Sequence, residues 1–204
     1  MSDTKDHLQE LTEIRSMMER SSKFLSLSGW AGVFAGIYAL TGAYIAYQVL
    51  QFRPQQLMSA EATPNGAGGI LLLGIAVLVL AVGTAVLLSA RKAQKRGEKI
   101  WNGTSRRLLL NMLVPLLTGG ILILVSLSKS LTGMLVPLTL IFYGLSLFNV
   151  GAVTYRELRS LGIVQIVLGL LSFYYVQYGL LFWAAGFGIM HIIYGIYIHY
   201  RHER

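Results

Sequence analysis

The sequence predicts an all-α polytopic membrane protein: six transmembrane helices behind an N-terminal cytoplasmic amphipathic helix, with both termini on the cytoplasmic side. Three observations predict it. Six apolar stretches approach or exceed about 20 residues, the length a helix needs to cross the hydrocarbon core of a bilayer. Only 13% of the residues are charged, against about a quarter in soluble domains. The lysines and arginines also alternate from loop to loop, so that of 17 only Arg53 and Lys129 fall on one side.

Residues 1–24 form the first unit and residues 25–204 the membrane domain. In the first, Leu8, Leu11, Ile14 and Met18, continued by Leu25 just beyond it, recur at spacings of three, four and seven, which puts them on one stripe. Arg15–Glu19 and Glu19–Lys23 are opposite charges four apart, each stabilising a helix by a few tenths of a kcal/mol. The segment is too long and too acidic for a secretory signal, so the span after it is expected to be retained. It reads as a helix lying along the inner membrane surface, or as the place where a cytoplasmic protein partner docks.

The spans are expected at 25–50, 68–90, 108–127, 131–153, 160–178 and 180–200. Span 1 carries Ser28, Gly32, Gly36, Ala39, Ala43 and Ala46, small residues that let helix backbones approach closely. Their partner is another helix of the chain or a second copy, so a homo-oligomer is one expected assembly. The next connection, QFRPQQLMSAEATPNGAGG, is rich in turn formers and reads as a loop. The connection between spans 2 and 3 is the most basic stretch, with Arg91, Lys92, Lys95, Arg96, Lys99, Arg106 and Arg107. Each such residue near an anionic leaflet contributes about 1 kcal/mol, so these seven are expected headgroup contacts. Only Trp101 interrupts them, unlike the interleaved aromatics of a single-strand nucleic-acid site. The lipid bilayer, and no nucleic acid, is the expected partner. "MLVPL" occurs in spans 3 and 4, and a proline inside a span kinks it. Spans 5 and 6 meet at "QYG", Gln177 to Gly179, as a tight hairpin.

Orientation follows from the basic residues, which concentrate in cytoplasmic loops. The N-terminus, the 2–3 and 4–5 connections and the C-terminal tail hold all but Arg53 and Lys129. An extra or missing span would scramble this alternation.

Several chemistries are excluded. The chain has no cysteine, hence no disulfide, thiolate metal site or cysteine nucleophile. None of its nine acidic residues falls within an expected span, and proton and cation pathways rely on buried carboxylates. His199 and His202 supply at most half of a tetrahedral metal site, and one deep histidine does not make a haem site between spans. No metal and no cofactor are expected. Ser146 and a histidine in span 6 are the residue types of a rhomboid-type protease, but that motif is G-x-S-G and here Leu147 follows the serine.

The polar residues left inside spans are Asn111, Asn149, Gln165, His191 and Tyr194. At a rise of 1.5 Å per residue, all but His191 lie within about 10 Å of the cytoplasmic boundary, and His191 lies deeper. They are a candidate polar pocket open to the cytoplasm, or a set of hydrogen bonds between helices. Ala184, Gly188, His191 and Gly195 are spaced four, three and four, which on a regular helix puts them on one face. Gly32, Gly36, Gly188 and Gly195 are therefore expected at close helix crossings, with His191 facing the bundle interior.

The passage SSKFLSLSGWAGVFAGIYALTGAYIAY together with GFGIMHIIYGIY resembles a group of small six-span membrane proteins of Gram-negative bacteria without assigned activity. The resemblance implies an inner-membrane location and carries over no site residues. The expected function is that of a non-enzymatic inner-membrane scaffold or regulatory component acting through its cytoplasmic face. The alternative is a small-solute transporter or ligand-sensing protein that uses the polar pocket.

Overall fold

In a computed structural model, which describes residues 28–52, 64–95, 101, 103–151 and 154–202, 91% of those residues are helical and none is in a strand. The expected amphipathic helix at 1–24 lies outside the described residues, as do Arg53, Arg96 and Lys99. The helices are α1 (Gly29–Gln48), α2 (Pro64–Lys95), α3 (Gly103–Ser128), α4 (Leu135–Val150) and α5 (Arg156–Tyr174). The last span is composite: α6 (Gly179–Trp183), a π-helical segment Ala184–Met190, and α7 (His191–His202). Short 3₁₀ turns, Thr132–Met134 and Val176–Tyr178, lead into α4 and α6.

Six stretches are long and apolar enough to cross a membrane: Gly29–Gln48, Gly68–Lys95, Ser105–Ser128, Thr132–Val150, Arg156–Tyr174 and Val176–His202. The chain is thus a multi-pass membrane protein by length and composition. The last hairpin turns at Tyr175, before the expected Gln177–Gly179, which belongs to the start of the sixth span. Pro115 lies within α3, where it cannot donate to the Asn111 carbonyl. Pro137 is in the first turn of α4, where a missing N–H costs little. The second "MLVPL" is therefore a helix start, not a kink.

α4 and α5 form the most extensive contact, and the sixth span packs between them and α1. α3 lies on the outer side of α4, and α2 on the outer side of α1. None of the apolar window of α2 is buried, and Leu72, Ile75, Val79 and Val82 are all exposed. In water, each such side chain would forgo about 1.5–3 kcal/mol of burial; in hydrocarbon that cost vanishes.

Glycines permit the closest crossings. A methyl group at Gly29 would lie 2.5 Å from the carbonyl oxygen of Gly195, and one at Gly144 would lie 2.7 Å from that of Gly162. These contacts lock α1 to α7 and α4 to α5 by backbone-to-backbone packing. The α3–α4 turn closes with Ser130 in the left-handed region (φ 57°). Leu131 N–H bonds the Ser126 carbonyl at 2.8 Å and Ser130 N–H that of Leu127 at 3.0 Å, the pattern of a Schellman cap.

Candidate functional site: a buried network around His191

The sixth span widens into a π-helix over AAGFGIM, Ala184–Met190. Such segments interrupt the regular i→i+4 ladder and recur at functional sites. Here the Gly186 carbonyl serves as a shared acceptor. His191 Nδ1 lies 2.9 Å from it and Gln165 Nε2, from α5, lies 2.7 Å from it. A carbonyl only accepts, so Nδ1 carries the ring proton. The 3.4 Å between Gln165 Nε2 and His191 Nδ1 then separates two donors bound to one oxygen. His191 Nε2 is left as an acceptor, and the Tyr143 hydroxyl of α4 donates to it at 2.9 Å.

Three spans thus meet through two side-chain bonds and one carbonyl. The Phe187 ring stacks on the imidazole with centroids 5.8 Å apart, and Tyr143 lies 4.9 Å from Phe187. Gln165 is fully buried and His191 nearly so. The Gln165 Oε1 is buried without a hydrogen-bond partner. It lies against Gly186, where a methyl group would come within 2.4 Å of it.

Apolar clusters seal the network at both ends. Toward the C-terminus of α4 and of the sixth span, Leu147, Val150, Leu158, Leu161 and Ile198 form one cluster. Toward the opposite ends, Val136, Leu140, Ala46 and Phe52 form another, with Trp183 and Phe187 packed on it. Beyond the first cluster lies a charged latch. Glu157 Oε1, in the first turn of α5, is 3.6 Å from Arg201 Nε and 3.3 Å from His202 Nε2. His202 stacks on Tyr155 at 4.4 Å, and the Tyr155 hydroxyl accepts from Lys92 Nζ at 3.3 Å. The ends of α2, α5 and α7 are tied together there.

The five residues of the candidate pocket do not converge. Asn111 and Asn149 are exposed, and Tyr194 packs half-buried in the apolar cluster near Ile198. Only Gln165 and His191 meet. Depth along the span placed Asn111, Asn149, Gln165 and Tyr194 at one level with His191 deeper, but azimuth, which depth does not encode, turned the two asparagines outward. The one-face reading of span 6 also divides. Gly188 and Gly195 meet Leu40 and Gly29 of α1, while the His191 side chain meets α4 and α5. The π segment between Ala184 and His191 changes the helical phase, so a spacing rule based on 3.6 residues fails there.

Gly32 and Gly36 lie at the α1 crossing, the first against Gly195 and the second against Gly188. Of the seven basic residues, Arg91, Lys95, Arg106 and Arg107 are exposed and Lys92 turns toward Tyr155. His199 and His202 diverge, His199 lying 5.2 Å from the Trp30 ring and His202 joining the Glu157 latch. Tyr143 and Gly186 were missed by sequence reasoning. The Gly/Ala run AAGFG is the one signal that could have flagged the widened segment.

Six apolar spans around an internally bonded polar core define a multi-pass α-helical membrane protein. Compared with known protein families, curated proteins and solved structures, the chain matches none.

Proposed function

We propose that the protein is a non-enzymatic scaffold or regulatory component of a bacterial inner membrane, with both termini in the cytoplasm. One observation carries the reading. Tyr143 bonds the buried His191, and His191 and Gln165 share the Gly186 carbonyl, between apolar clusters, rather than converging with Asn111 and Asn149 on a passage. Such bonds hold membrane helices together. Communication with the cell then falls to the cytoplasmic ends, where the Glu157 latch joins three helix termini, and to residues 1–24. The resemblance to small Gram-negative membrane proteins and the distribution of basic residues support the inner-membrane, N-in/C-in arrangement.

The natural absence of cysteine makes a direct test available. Single cysteines at 165 and 191 are expected to stay unlabelled by a small water-soluble maleimide, because thiolate formation needs water. A lipid-facing control at Leu80, which is 54% exposed in α2, should be equally silent, and a cysteine at Lys95 should react. Rapid labelling at 165 and 191 would replace this reading with the transport or ligand-sensing one. That second reading has its own support in the unpaired Gln165 Oε1 beside a π-helical segment. A pull-down recovering the same proteins with and without residues 1–24 would remove the N-terminal helix from the proposed docking role.

A further inference from the structure

We infer that an anionic diacyl phospholipid is held between α2 and α3, its acyl chains on their apolar flanks and its headgroup on Arg91, Lys95 and Arg106. The first observation is a missing contact. Every other pair of consecutive spans packs together, but α2 and α3 share no substantial contact among the described residues. The tether between them is short: residues 96–102 reach at most about 28 Å from Lys95 to Gly103 even when fully extended. Two spans joined by a short tether thus make no substantial contact with each other.

The second observation is the exposed apolar surface that each helix carries. Leu72, Val79, Val82 and Val86 of α2 and Val114, Leu117, Ile121 and Leu124 of α3 are each at least half exposed. Gly74, Gly83 and Gly120 border open space, since a methyl group at any of them would meet nothing within 4 Å. Hydrocarbon chains suit these surfaces in a bilayer, because they need no hydrogen-bond partner and these side chains offer none.

The third observation gives the occupant its charge. Where α2 ends and α3 begins, Arg91, Lys95 and Arg106 are exposed, and neither helix contains an acidic residue. Trp101, 69% exposed in the same connection, is the residue type that settles at headgroup depth. Guanidinium and ammonium groups above an apolar gap suit a phosphodiester with a net negative charge better than a zwitterion.

The test is native mass spectrometry of the full chain in detergent, with phosphatidylglycerol and phosphatidylcholine of matched acyl chains added in equal amounts. The wild type should retain phosphatidylglycerol about tenfold or more over phosphatidylcholine. The R91Q/K95Q/R106Q variant should retain the two alike at an unchanged melting temperature. A phosphatidylglycerol with a diazirine on its acyl chain should crosslink to peptides of α2 and α3. Equal retention by the wild type, an unchanged preference in the variant, or crosslinks confined to α5 and α7 would overturn the proposal. So would a disulfide-linked dimer through single cysteines at Val79 or Ile121, which would put a second copy where the lipid is assigned.

Discussion

Tyr143 and Gln165 never touch each other through a hydrogen bond, yet both depend on His191 and the carbonyl it shares. Tyr143 holds Nε2, and Gln165 shares the Gly186 oxygen with Nδ1. Tyr143→Phe should lower stability by about 0.6–2 kcal/mol, the range for side-chain bonds between membrane helices. Gln165→Leu removes a second such bond and also removes the unpaired Oε1, so its own cost should be the smaller. Because the two act on one imidazole, the double variant should depart from additivity by about 0.5 kcal/mol or more. Unfolding of the four proteins in the same detergent checks this, and strict additivity would mean that the network is two unrelated contacts. The latch at Glu157 differs in kind. Its Arg201 partner is 59% exposed, and exposed ion pairs contribute about 0–1 kcal/mol.

At the level of elements, glycines divide into those that are packed and those that are open, although nothing in their codes distinguishes them. Gly29 and Gly195 face each other's backbone, which cannot move aside as a side chain can. Gly29→Ala or Gly195→Ala should cost about 1–3 kcal/mol, the range for overpacking. Gly83 borders open space in α2, so Gly83→Ala should be neutral or stabilising by up to about 1 kcal/mol, the helix-propensity difference. Melting temperatures of the three variants decide it; a loss at Gly83 equal to that at Gly29 would mean that α2 packs more tightly than described. The π segment is the other lesson at this scale. Its small residues were legible as a packing face, but its extra width was not, because one residue more per turn leaves no mark in a pattern read at a period of 3.6.

For the whole molecule, the side of each loop is a property of charge and the arrangement of the spans is a property of packing. Cysteines placed singly at Lys95 and Tyr200 should label from the cytoplasmic side in inverted vesicles, and one at Lys129 should label only from the opposite side. Labelling of Lys129 together with Lys95 would overturn the N-in/C-in arrangement. The packing order has α1 beside the sixth span, so the first and last spans close on each other while α2 and α3 stay at the periphery. Exposure follows from that order: none of the apolar window of α2 is buried, against 44% of that of Thr132–Val150. Hydropathy ranks them the other way, with α2 the more apolar, because a peripheral helix solvated by lipid is selected for apolarity while an interior one is selected for fit.

By itself the amino-acid sequence determined the number of spans, their helical state and their approximate limits, since crossing hydrocarbon requires a continuous apolar stretch and internally satisfied backbone bonds. It also picked out Gln165 and His191 as polar groups within spans, and Gly32, Gly36, Gly188 and Gly195 as positions where backbones approach. Only the tertiary structure decided which polar groups meet. Asn111, Asn149 and Gln165 sit at similar depths, yet two face outward and one is fully buried, because rotation about the helix axis is set by the neighbouring helices. The acceptor that joins the network, the Gly186 carbonyl, is a backbone atom exposed to side chains by a local change of helix type. Backbone atoms are the same in every residue, so no pattern of side chains announces which carbonyl will be freed.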